Sequence, residues 1–158
     1  MNKQLTFLLS LTFLFLFSGS VYGDDYMHGV NAANKGDYET AYKLWLSSAE
    51  QGNAEAQHNL ALMYKKGRGV PQDYEEAVKW YRLSAEQGNA RSQNNLGVLY
   101  DKGQGVLQDY VLAHMWWNLS GSNGHKGGVK NRNIVEKRMT PSQIEKAQEM
   151  ARNWKPKK

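Results

Sequence analysis

The sequence contains no cysteine. Disulfides, thiolate metal ligands and cysteine nucleophiles are therefore excluded, and packing alone has to hold the fold. Past its first residues, the chain has no hydrophobic run near the roughly 20 residues that span a bilayer, so the mature form is not expected to be membrane-spanning. Lys3 and the apolar run from Leu5 to Phe17 read as the n- and h-regions of a signal peptide. Small residues follow, with Val21 and Gly23 three and one before the predicted cut at Asp24. The expected product is periplasmic or secreted, and no cysteine follows the run to carry a lipid anchor.

Motifs that carry chemistry are also missing. No serine after residue 24 has a lysine three positions on, which removes the Ser-x-x-Lys nucleophile. The histidines His28, His58, His114 and His125 have neither His-x-x-x-His nor His-Glu-x-x-His spacing. Gly67-x-Gly69 and Gly103-x-Gly105 follow no strand and do not continue as Gly-x-Gly-x-x-Gly, so they read as helix stops rather than phosphate cradles. No catalytic residue, cofactor or metal site is expected, and the chain is not read as an enzyme.

What the sequence does have is a repeat. Residues 49–84 and 85–120 align without a gap at 21 of 36 positions. The frame extends upstream at the same period through Asp37-Tyr38, Ala41, Trp45 and Ser48. Ala56, Leu60, Met63 and Tyr64 recur at helical spacing, and Gly67 and Gly103 stand where a left-handed cap would end the first helix of each pair. Asp73 and Asp109 are placed to cap the second helix, with Glu76 positioned to close a capping box in one copy only. Ala77, Trp80, Tyr81 and Ser84 then mark that helix's buried side. A single pair exposes an apolar face, so successive pairs must stack.

The expected organisation is a signal peptide at 1–23, a partial repeat at 24–48, repeats at 49–84 and 85–120, and a partial repeat with a capping helix at 121–158. Val129, Ile134, Val135 and Met139 continue an apolar helical pattern. Thr140-Pro141-Ser142-Gln143 reads as a boxed helix start, and Ile144, Ala147, Ala151 and Trp154 mark that helix's inner side. The aromatics recur in register and are assigned to the core. Trp116-Trp117 stands apart, because neighbours on a helix point about 100° from each other and burial of both is not assured.

These residues closely resemble the Sel-one-like repeat family, a relative of the tetratricopeptide repeat. The motif runs Ala54-x-Ala56-x-x-x-Leu60-Ala61-x-x-Tyr64-x-x-Gly67-x-Gly69-Val70, then Asp73, Ala77, Trp80-Tyr81 and Ala85-x-Gln87-Gly88. The second copy departs from it at Ser92, Gly97 and Trp117. The resemblance implies an all-α fold, a right-handed α/α solenoid of tetratricopeptide-like helix pairs used for protein-protein contact in bacterial envelope, signalling or host-interaction settings. A cysteine-rich branch of the family is linked with binding or hydrolysis of β-lactam or cell-wall ligands. That branch pairs cysteines within each repeat, and this chain has none.

The expected binding surface is the outer flank of each first helix: His58, Asn59, Leu62 and Lys66 in one copy, Asn94, Asn95, Val98 and Lys102 in the next. Stacked, they would line a groove of amides and basic rims suited to a protein or peptide partner. Ten lysines and arginines stand against three acids from His125 to Lys158, leaving residues 1–124 with a net charge of −2. Those basic residues are spread over helices and a tail, so no nucleic-acid partner is expected, and the mature chain is read as a monomer.

Overall fold

The computed structural model describes residues 25–157; the expected signal peptide lies outside them. Among the described residues all regular structure is helical: α1 (25–34), α2 (Tyr38–Glu50), α3 (Ala54–Lys66), α4 (Tyr74–Glu86), α5 (Ala90–Lys102), α6 (Tyr110–Ser122), α7 (Lys126–Val135) and α8 (Pro141–Asn153), with a short 3-10 turn at Glu136–Arg138.

The caps explain where each helix begins. Asp37, Asp73 and Asp109, spaced at the repeat period, each accept backbone N–H bonds from the first turn of a second helix. Asn53 and Asn89 do the same for α3 and α5, and His125 takes that register position for α7 with its ring Nδ1 accepting from Gly128. The box expected at Glu76 does not form. The Asp73 N–H donates instead to the Tyr64 carbonyl across the loop, and Glu76 pairs with Lys79. The box at Thr140 and Gln143 does form.

Gly67 and Gly103 end α3 and α5 in the left-handed conformation, with φ of 63° at both. The second glycine of each loop meets the preceding unit. A Cβ on Gly105 would stand 2.3 Å from the Tyr74 carbonyl oxygen at the start of α4. Each loop is therefore both a helix stop and an inter-unit contact.

Each helix packs on its chain neighbour from α2 through α7, and α8 returns to lie on α6. Small residues sit where helices approach: Ala41, Ala77 and Ala113 are fully buried at one repeat position, and Ser84 and Ser120 at another. Leu60, Leu96 and Tyr81 fill the space between. Repeat boundaries fall in the turns before Ala54 and Ala90, so a frame opened at residue 49 starts inside α2. Trp116 and Trp117 are both buried. That is possible because α6 is enclosed on two sides: Trp117 lies against α5, and Trp116 meets Trp154 edge-on at 6.4 Å beyond α8. Val129 and Ile134 are exposed, contrary to the apolar pattern read for α7, and Val135 is the large side chain that this helix buries.

Two of the three comparable units share a tight device. The Trp45 indole donates to the Tyr26 carbonyl at 3.2 Å, and the Trp117 indole to the Asn94 carbonyl at 3.0 Å. Each ring presses its pyrrole side against a glycine of the first helix: a Cβ would fall 2.5 Å from the Trp45 ring at Gly29 and 2.7 Å from the Trp117 ring at Gly97. The middle unit carries Ala61 and Tyr81 at these positions. Glycine-with-tryptophan and alanine-with-tyrosine are therefore two solutions of one packing problem. Gly97→Ala should destabilise the wild-type chain by about 1–3 kcal/mol through overpacking. In a Trp117→Tyr background the same change should be neutral or stabilising, because alanine favours a helix over glycine by about 1 kcal/mol. Urea midpoints of the four proteins check this, and an unchanged sign between the two backgrounds refutes it.

Candidate functional site

The first helices carry the expected binding flank, and the structure brings part of it together. A cleft of about 210 Å³ opens between α1 and α3, with Ala33, Trp45, Leu62 and Met63 supplying apolar walls, Asn34 and Asn59 amides, and Lys66 and Arg68 charge. Three of the expected residues, Asn59, Leu62 and Lys66, line it. This volume is below the range of about 300–1,000 Å³ in which small-molecule ligands are enclosed; it fits one side chain of a larger partner.

The equivalent residues on α5 are engaged differently. The Asn94 amide oxygen accepts from Asn131 of α7 at 3.1 Å, and the Asn95 amide oxygen lies 3.5 Å from the Lys65 ammonium. Val98 is half-buried against the core, whereas Lys102 is exposed. Asn131, which stands one repeat period after Asn95, was missed on the sequence. Its register position was the signal, obscured because α7 departs from the motif elsewhere. Lys65 and Arg68 were missed too, having no counterparts of the same charge in the next copy, where Asp101 and Gln104 stand.

His58 requires a correction. It does not line an open surface: it is only 5% exposed, with its ring centroid 5.6 Å from that of Tyr81 and tilted 59° to it. Its bonds settle its tautomer. Ser84 Oγ donates to the Ala54 carbonyl at 2.7 Å, and having only one hydrogen it must accept from Ser92 Oγ at 2.8 Å. Ser92 has then spent its own hydrogen, so the proton in the 2.8 Å contact with His58 belongs to His58 Nδ1. Nε2 is left as the lone-pair nitrogen. Burial, then the nearby Arg91 and Lys65 charges, push the His58 pKa down to about 4. The residue is a neutral wedge between the second and third units.

Burial likewise lowers the Lys65 ammonium's pKa, assisted by Lys102 and Lys66. Elsewhere, His114 is fully buried with Nε2 donating to the Glu136 carboxylate at 2.8 Å, a link between α6 and the 3-10 turn that residues 22 apart gave no reason to pair. No cluster of three or more metal-ligating side chains occurs among the described residues, and no described helix is long and apolar enough to cross a membrane.

The stacked pairs, their glycine loops and their small-residue seams agree with the family comparison: the model of the Sel1 repeat matches residues 22–53, 54–89 and 90–125. The chain belongs to the Sel1 repeat family. Among solved structures, it is similar to a protective antigen of uropathogenic Escherichia coli displaying an SLR fold, at 31% identity and a TM-score of 0.80 over 84% of this chain and 29% of that one. It is also similar to a Sel1 repeat protein from Oxalobacter formigenes, at 33% identity and a TM-score of 0.67 over 72% of this chain and 48% of that one. The chain thus spans less than half the length of either structure. No curated protein matches it. Sel1 repeats generally mediate protein-protein contact, and in this Sel1 repeat chain α7 and α8 continue the stack past the last matched residue.

The burial of His58 has a consequence for stability. Above pH 6.5, its ordinary pKa, the ring is neutral folded or unfolded. As pH falls from 6.5 towards 4, the unfolded chain takes up a proton that the folded chain refuses, so stability declines across that window and levels off below it. The loss is on the order of 2–3 kcal/mol. His58→Asn, which installs the residue found at position 94, should remove this component. Urea midpoints at pH 7.5 and 4.5 for both proteins check it, and an equal pH dependence in the two would refute the assignment.

Proposed function

We propose that this Sel1 repeat chain is an exported, non-catalytic adaptor that holds a protein or peptide segment on the face formed by its first helices. The observation that carries the reading is the α1–α3 cleft. It is sized for one side chain, walled by apolar groups and bordered by the Asn59 amide, which makes no hydrogen bond within the described residues. An amide held half-buried and unpaired can bond a partner's backbone at little ordering cost. The predicted signal peptide supports an envelope or extracellular setting, as does the Escherichia coli relative described as a protective antigen.

A photo-crosslinker placed at Asn95 should capture a protein from envelope extract, whereas one at Leu83, exposed on α4, should not. Asn59→Ala with Asn95→Ala should weaken that partner at least tenfold while leaving the thermal midpoint within a few degrees. Capture from Leu83 alone, or no effect of the double change, counts against this face. N-terminal sequencing of the exported form should begin at Asp24.

A further inference from the structure

Helices α3 and α5 have used up their own acids. Glu55 of α3 pairs with Arg91 of α5, and Asp101 of α5 pairs with Arg138 beyond α7. Both are bridges between units. Lys65, Lys66, Arg68 and Lys102 have no carboxylate within salt-bridge distance among the described residues. Two of them, Lys66 and Arg68, line the cleft, and no acid does. Lys65 sits beside Asn95, close enough to Lys66 and Lys102 that these repel its charge. Uncompensated cations thus run from the cleft to α5. Like charges held this close weaken the fold unless something they bind compensates them.

This extends the adaptor reading, on which it rests, to the chemistry of the partner. We propose that the segment received here is an extended acidic peptide, with one apolar side chain seated in the α1–α3 cleft and adjacent carboxylates over Lys65, Lys66 and Lys102. The apolar walls of Leu62, Met63 and Trp45 select the anchor. The cations beside them select the sign of its neighbours, and Asn59 and Asn95 remain to bond the backbone between the two. A polyanion such as nucleic acid or heparin would satisfy the cations but leave the apolar cleft unused.

Display of random dodecapeptides selected on the chain from Asp24 tests this, with Lys66→Glu/Lys102→Glu as the counter-target; both positions are exposed, so the variant should fold. The expected pool is net acidic with one recurring apolar residue. A synthetic member should bind with anisotropy that falls at least tenfold in affinity when its acids become glutamine, and again on the double variant. A version with lysines in place of the acids should bind the double variant better than the wild type. An enriched pool of neutral peptides that still depends on Asn59 and Asn95 would overturn the acidic partner and keep the adaptor. A pool indifferent to all four positions, or failure to enrich any peptide, would overturn both. Displacement of the peptide by heparin with no dependence on its apolar residue would also overturn the proposal, marking a generic polyanion surface.

Discussion

The stack depends on a buried amide that repeats with the helices. Gln57 donates from its side chain to the Ala49 carbonyl at the end of the preceding unit, and its oxygen accepts from Gln87 at the end of its own. Gln93 repeats the bond to Ala85 and accepts from Asn123. Both side chains are buried, so each unmet bond would leave a desolvated polar group costing about 1–3 kcal/mol. The Ala49 and Ala85 carbonyls in the last turns of α2 and α4 already accept from the Gly52 and Gly88 N–H groups of the turns, and the glutamines add a second bond to each from the next unit. One side chain therefore sets the spacing of neighbouring pairs. With the pairs fixed, the small residues at Ala77 and Ala113 meet their neighbours, and the Gly105 loop reaches the start of α4.

Within that frame, the units differ at a linked set of positions. Tyr26, His58 and Asn94 occupy one site, Gly29, Ala61 and Gly97 a second, and Trp45, Tyr81 and Trp117 a third. Where the third is tryptophan, its indole donates to the backbone at the first site and needs glycine at the second. Where it is tyrosine, the hydroxyl is buried without a partner among the described residues, and His58 fills the space over the ring. The variation between His58 and Asn94 thus follows largely from packing, and binding has to be sought one residue further round the helix, at Asn59 and Asn95.

Much of the fold was legible because repetition states each constraint twice. The capping aspartates, the Gly67 and Gly103 stops and the Thr140 box could be placed by register and local chemistry, and the structure puts them there. The misses share a cause. His58 was set on the flank by helical spacing, yet its burial depends on Ser92, a residue of the next unit. Burial of both Trp116 and Trp117 required a second neighbour for α6, supplied by α8 from about 40 residues later in the chain. Gly97 and Trp117 were seen as two separate departures from the motif, although changing together was itself the sign of contact. The cleft could not be read at all, since it joins the end of α1, the start of α2 and the middle of α3.

Net charge was the least informative quantity, for a reason the ion pairs make plain. The region up to residue 124 is slightly acidic overall, but the sign of a surface depends on which charges are already paired. Glu55 and Asp101 are consumed in holding units together, whereas Glu39 and Glu76 pair along the second helices. On α3 and α5 the lysines are what remains. A stacked fold separates charge in this way without any bias in composition, because the same acids that join one unit to the next are removed from the face those units present.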